Sequence, residues 1–89
     1  MRALRFAVFG RVQGVGFRAF TRRVALRHSL VGWARNCSDG SVDILLVGDR
    51  ETIEKARADI LRGPALSRVE RSAALPTPTA PPTRDFEVG

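Results

Sequence analysis

A chain of 89 residues is long enough for one small domain, and we expect a single domain over residues 1–89. Its hydrophobic fraction of 44% indicates a globular protein, and no apolar run reaches the roughly 20 residues that a membrane-spanning helix needs. One cysteine and one histidine exclude an internal disulfide framework, a cysteine-based metal cluster and a two-histidine metal site.

The net charge of +6 favours an anionic partner, which could be a nucleic acid, an acidic lipid headgroup or a small phosphorylated substrate. The charge alone does not choose among these classes. Arg5 lies where a secretory leader would be apolar, and no cleavage pattern follows. We therefore expect a cytoplasmic protein that does not associate with a membrane.

The first half of the chain predicts a strand, a helix and a hairpin. Alternating apolar residues predict a strand over about 4–12, and helical spacing of apolar residues predicts a helix over 17–28. Two further apolar runs, 30–36 and 41–47, flank the turn residues Asp39 and Gly40. Because Asp-Gly between apolar runs is typical of a tight turn, these runs are expected to pair as a hairpin.

The second half predicts another helix and strand. Asp49 is placed to cap a helix that ends at Gly63, and residues 67–75 can form a fourth strand. The proline-rich stretch 76–83 is expected to be an exposed connection before a short strand over 85–88. This order predicts an α+β fold of the ferredoxin-like, split βαβ type (βαββαβ), with two helices on one face of an antiparallel sheet.

A glycine-rich stretch joins the first strand to the first helix. It reads Gly10-Arg11-Val12-Gln13-Gly14-Val15-Gly16-Phe17-Arg18. A curled loop that leads into a helix N-terminus favours an anion, because its amides and the helix dipole point the same way. The Rossmann pattern fails because Ala19 stands where it needs a third glycine, and the Walker pattern fails because no Lys-Ser/Thr follows. The stretch therefore predicts a phosphate site without the marks of a nucleotide site.

The same stretch resembles the signature of the acylphosphatase family, and Gly32-Trp33-Ala34-Arg35-Asn36 resembles its second signature at the family's spacing. Gly63-Pro64 closes the second helix as in relatives, and the resemblance covers nearly the whole chain. It implies a metal-free, cofactor-free enzyme of ferredoxin-like fold. Such an enzyme hydrolyses the carboxyl–phosphate bond of acyl phosphates to a carboxylate and inorganic phosphate.

The resemblance also implies a role for each site residue. Arg18 matches the arginine that binds phosphate, and Asn36 matches the asparagine that positions the attacking water. Backbone amides of the loop match the phosphate-binding amides; they belong to Gln13, Gly14, Val15, Gly16 and Phe17. The chain departs from the family at Ser29, where relatives usually have glycine and left-handed backbone geometry would be strained, and in the proline-rich stretch. These departures bear on stability more than on activity.

We expect a monomer that acts on a small acyl phosphate and binds no nucleic acid. Two alternatives stay open at the level of sequence. One is a non-catalytic accessory or binding domain of acylphosphatase-like fold, akin to the module found in larger maturation proteins that handle carbamoyl phosphate. The other is a basic nucleic-acid-binding module, whose affinity would fall steeply with salt.

Overall fold

Two helices and five strands follow one another in the computed structural model, which describes residues 2–89; Met1, the first residue of the expected domain, lies outside the described residues. The elements are β1 (Arg2–Arg11), α1 (Phe17–Arg27), β2 (Val31–Asn36), β3 (Val42–Gly48), α2 (Arg50–Arg62), β4 (Arg68–Leu75) and β5 (Phe86–Val88). Each predicted helix and strand is confirmed, with bounds that differ by a few residues.

The strands form one sheet in the order β4-β1-β3-β2-β5. The first four strands pair antiparallel, as predicted, whereas β5 pairs parallel to β2. The prediction of an antiparallel sheet is therefore wrong at this edge. The reason is the long proline-rich connection, which carries the chain from β4 to the opposite edge and does not force the reversal that a two-residue hairpin imposes.

The main core lies between the two helices and one face of the sheet. Val8, Val42 and Ile44 from the strands pack with Phe17 and Ile60 from the helices, and all five are 1% exposed or less. Alternate residues of the strands supply this face, as the two-residue period of a strand requires. Burying each of these side chains stabilises the folded state by about 1.5–3 kcal/mol relative to leaving it exposed.

Strand β3 is buried on both faces, which the alternating pattern of its neighbours did not predict. Leu45, on the face opposite the helices, is fully buried and pairs with Arg5 of β1 and Trp33 of β2. Asp43 on that face accepts hydrogen bonds from Arg5 Nε and Nη2, both at 3.0 Å. A bidentate arginine thus compensates a buried carboxylate, and β3 becomes the fixed centre of the sheet.

Ser29 ends α1 in the left-handed backbone region, with φ of 56°. Its N–H donates to the Leu26 carbonyl oxygen at 3.1 Å, and the Leu30 N–H donates to the Ala25 carbonyl oxygen at 2.8 Å. This pair of bonds closes the helix in the manner of a Schellman motif, which normally has glycine at this position. The left-handed backbone geometry that the family resemblance implied at Ser29 is therefore confirmed.

Replacing Ser29 with glycine should stabilise the protein. Relief of the left-handed strain, about 1–2 kcal/mol, exceeds the extra chain entropy that glycine loses on folding, about 0.5–1 kcal/mol. We expect the free energy of unfolding of Ser29→Gly to rise by about 0.5–1 kcal/mol in urea titrations. Ser38→Gly is the control, because Ser38 is exposed and does not have positive φ; an equal rise in both variants would contradict the strain at Ser29.

Candidate active site

The loop between β1 and α1 is fixed at both ends by buried side chains. Val12 and Phe17 are each 1% exposed and belong to the main core. Between them, Gly14 and Gly16 have φ of 75° and 78°. A Cβ at either glycine would meet no atom within 4 Å, so glycine is needed there for the backbone angle and not for space.

The first turn of α1 has no side-chain cap. Gly16 occupies the N-cap position without a side chain, and the first turn contains no acidic residue. By contrast, α2 has Asp49 at its N-cap, which accepts a hydrogen bond from the Thr52 N–H at 3.3 Å, and it has Glu51 in its first turn. The backbone N–H groups at the start of α1 are therefore available to an anion. At the start of α2, the Asp49 side chain already fills that role.

The start of α1 lines a depression of ≈ 420 Å³, counting its opening to solvent. The residues that line it are Val12, Gly14, Gly16, Phe17, Arg18, Ala19 and Val88. Arg18 Nη1 donates to the carbonyl oxygen of Gly89. Arg18 makes no other hydrogen bond with residues 2–89, so its Nε and Nη2 edge retains the paired donors that suit a phosphoryl group.

Asn36 reaches the same region from the end of β2. It pairs with Val42, a residue of the main core, so its register places it on the face of the sheet that the helices cover. The Asn36 N–H donates to the Gly89 carbonyl oxygen at 3.0 Å. One Gly89 oxygen atom therefore accepts hydrogen bonds from the Arg18 side chain and from the Asn36 backbone N–H. Asn36 is not among the residues that line the depression.

Sequence reasoning missed Gly89. It lies 71 residues beyond Arg18, and no local pattern in the sequence links the two. Its own N–H donates to the Ala34 carbonyl oxygen at 2.9 Å, which continues the pairing of β5 with β2. The short final strand is the one signal that could have found it, because that strand brings the end of the described chain beside β2.

Four residues of the predicted phosphate-binding stretch line the depression, namely Gly14, Gly16, Phe17 and Arg18, whereas Gln13 and Val15 do not. The Gln13 side chain turns instead to the β2–β3 hairpin. Its Nε2 donates to the carbonyl oxygens of Cys37 at 2.9 Å and Ser41 at 2.8 Å.

Two further features bear on cofactors and on membranes. Within residues 2–89, no three His, Cys, Asp or Glu side chains lie close enough together to hold a metal ion. None of the helices described for the chain is long and apolar enough to cross a membrane.

Comparison with known proteins identifies the family. The family model for acylphosphatase matches residues 4–88. The chain belongs to the acylphosphatase family. A curated acylphosphatase from Xanthomonas oryzae pv. oryzae (strain MAFF 311018) is 46% identical over 90 residues, which cover all of both chains.

Solved structures agree with this assignment. The acylphosphatase of Bacillus subtilis superposes with a TM-score of 0.92 and 31% identity, covering 100% of this chain and 99% of that one. T. kodakarensis HypF superposes with a TM-score of 0.84 and 35% identity over 100% of this chain but 12% of its own. The predicted family, the ferredoxin-like fold and acyl phosphate hydrolysis by an acylphosphatase enzyme are confirmed.

The turn beside Asn36 in this acylphosphatase contains a carboxylate that is hydrogen-bonded to a serine. Asp39 Oδ1 accepts hydrogen bonds from the Ser41 hydroxyl at 2.6 Å and from the Ser41 N–H at 2.9 Å. These donors, the hydroxyl first, hold the pKa of the Asp39 carboxyl below its ordinary value. The ionised carboxylate is thus the form that the folded turn prefers.

This preference makes a pH-dependent contribution to stability. Because the folded-state pKa is lowered, the contribution is complete above the unfolded pKa of about 3.9 and is lost as pH falls through the folded value. Asp39→Asn should therefore be less stable than the wild type at pH 7, with the difference shrinking below about pH 4. Urea titrations at several pH values measure the difference in the free energy of unfolding between the two proteins. A difference that is constant down to pH 2.5 would contradict the stabilising role of the ionised Asp39 carboxylate.

Proposed function

We propose that this acylphosphatase uses Arg18 and the loop amides of residues 13–17 to hold the phosphoryl group, and Asn36 to position the attacking water. The proposed substrate is a small acyl phosphate, and the products are a carboxylate and inorganic phosphate. No metal, cofactor or nucleic acid takes part. The family assignment supports the reaction, while the site geometry supports the division of roles.

The single observation that carries the proposal is the meeting of three features at one end of the sheet. The uncapped N-terminus of α1 supplies amide donors, Arg18 on the same turn supplies a guanidinium, and both lie at one depression. The Asn36 backbone N–H donates to the same Gly89 oxygen as Arg18. We therefore expect a phosphoryl group bound by the first two features to lie within reach of a water held by the Asn36 side chain.

The chemistry needs little more than charge stabilisation and alignment. Water attacks phosphorus, a new P–O bond forms, and the bond from phosphorus to the acyl oxygen breaks with its electrons leaving on the carboxylate. A carboxylate is a good leaving group, so no covalent nucleophile is required. Donors fixed before the reaction stabilise the phosphoryl oxygens without reorganisation, which is the larger part of catalysis in phosphoryl transfer.

Neither signature contains a side-chain base that could accept the proton of the attacking water. Residues 10–18 and 32–36 contain no Asp, Glu or His. We assign the proton to an oxygen of the substrate's own phosphoryl group, so that the carboxylate and dihydrogenphosphate leave. Asn36 can accept a hydrogen bond from the water through its Oδ1 and donate through its Nδ2, which aligns the water without taking its proton.

The proposal includes a monomer in the cytoplasm. Arg18 and Asn36 both donate to Gly89, and Gln13 donates to the turn that follows Asn36, all within a single chain. The proposed site therefore needs no residue from a partner. A free cysteine at Cys37 suits a reducing compartment. Light scattering should give the mass of one chain, 9.8 kDa.

Replacing Arg18 should strongly weaken binding of the phosphoryl group. Charge-assisted hydrogen bonds contribute about 1.5–3 kcal/mol each, so loss of two should raise the inhibition constant of inorganic phosphate by about 10²-fold or more in Arg18→Ala. The measurement is inhibition of acetyl phosphate hydrolysis in EDTA, or calorimetric binding of phosphate where turnover is lost. Arg23→Ala removes the same charge from an exposed position of α1 and is the control; equal weakening in both variants would contradict a specific role for Arg18.

Replacing Asn36 should separate turnover from binding. Asn36→Ala is expected to lower kcat on the order of 10²–10³-fold, because the water loses its alignment, while the inhibition constant of phosphate changes by less than about threefold. Ser38→Ala, an exposed change in the same hairpin, should retain wild-type kcat. A wild-type kcat in Asn36→Ala would overturn the water-positioning role.

A further inference from the structure

Gln13 makes the only side-chain hydrogen bonds between the phosphate-binding loop, residues 12–16, and the β2–β3 turn, residues 37–41, within the described chain. Its two amide hydrogens go to two carbonyl oxygens, those of Cys37 at 2.9 Å and Ser41 at 2.8 Å. A side-chain amide has two N–H donors, and both are used. Because carbonyl oxygens only accept, the contact requires the NH₂ end of Gln13 to face the turn.

The two acceptors are the residues that close the turn. The Cys37 N–H donates to the Ser41 carbonyl oxygen at 2.9 Å. Cys37 directly follows Asn36, and Ser41 directly precedes Val42, the residue that pairs with Asn36. Gln13 therefore holds the base of the turn at the point where Asn36 leaves β2. Any movement of the turn relative to the loop would stretch one of these two bonds.

The strand order explains why such a contact is needed. β1, which leads into the loop, and β2, which carries Asn36, are not neighbours, because β3 lies between them. Two strand spacings separate them by about 9–10 Å. Neither strand pairing nor a short polar side chain spans that gap directly, whereas glutamine reaches from the loop to the turn above β3.

We propose that the Gln13 side chain is a positioning residue that sets the place of Asn36 relative to the bound phosphoryl group. This inference rests on the proposed function and assigns the Gln13 side chain a role separate from that of the Gln13 backbone amide. The side chain acts through Asn36 and does not touch the substrate. A misplacement of about 1 Å at the reacting water is sufficient to cost on the order of 10²-fold in rate.

A second contact limits the effect of losing Gln13. The Gly89 carbonyl oxygen still accepts from the Asn36 N–H and from Arg18, so Asn36 would keep one of its two links to the loop side of the site. The loss in kcat on removing the Gln13 amide should therefore be smaller than the loss on removing Asn36 itself. We expect about 10- to 100-fold.

The test uses Gln13→Met, which keeps the length of the side chain and removes both donors. We expect kcat for acetyl phosphate to fall about 10- to 100-fold while the inhibition constant of phosphate changes by less than about threefold. Gln13→Lys restores N–H donors at a similar reach and should recover at least part of that kcat. Asp49→Ala, which removes the cap of α2 far from the site, is the matched control for lost stability and should retain wild-type kcat.

Coupling to Asn36 is tested in the double variant Gln13→Met/Asn36→Ala. If Gln13 acts through Asn36, the double variant should have the same kcat as Asn36→Ala, because the residue to be positioned is gone. Multiplied losses would overturn the inference, as would a phosphate inhibition constant that rises as far as kcat falls, or a Gln13→Met variant with the kcat of Asp49→Ala. Absence of turnover in the wild-type protein would instead contradict the proposed function.

Discussion

The site depends on hydrogen-bond donors that the sequence leaves without an acceptor at the start of α1. A helix N-terminus has four N–H groups that its own turns cannot satisfy, and a capping side chain normally accepts from one of them. α2 follows that rule through Asp49, whereas the N-cap residue of α1 is Gly16, which has no side chain that could accept a hydrogen bond. The two helices thus show the difference between a helix end that a side chain caps and one whose N–H groups are available to an anion.

The surrounding structure keeps those donors in place. Val12 and Phe17 fix the loop by burial on either side, so the glycines between them do not make the loop loose. Arg18 adds charge at the same turn, and its bond to Gly89 orients the guanidinium while leaving its Nε and Nη2 edge free of other described hydrogen bonds. An anion would therefore meet donors that already have their direction, which lowers the reorganisation that binding requires.

Much of this could be predicted from the sequence, because local patterns encode it. The helix stripes, the Asp39-Gly40 turn and the Asp49 cap all depend on neighbours within a few residues, while the left-handed Ser29 was implied by the family resemblance. The missed features depend on contacts between distant parts of the chain. Gly89 reaches Arg18 across 71 residues, and the Gln13 side chain reaches the turn across 24 and 28. The parallel direction of β5 likewise follows from where a long connection ends, and no residue pattern within β5 specifies it.

The buried centre of the sheet gives the two halves of the site a common reference. β3 pairs with β1 on one side and β2 on the other, and its side chains are buried on both faces. A strand packed in this way is rigidly positioned, because any shift would open gaps in a close-packed interior. The loop that follows β1 and the strand end that carries Asn36 are therefore held at a spacing that β3 determines. What β3 cannot fix is the conformation of the backbone beyond the strand ends. There the Gln13 side chain and the Gly89 carbonyl oxygen make the connection, so the core sets the coarse distance across the site and these few hydrogen bonds set its final geometry.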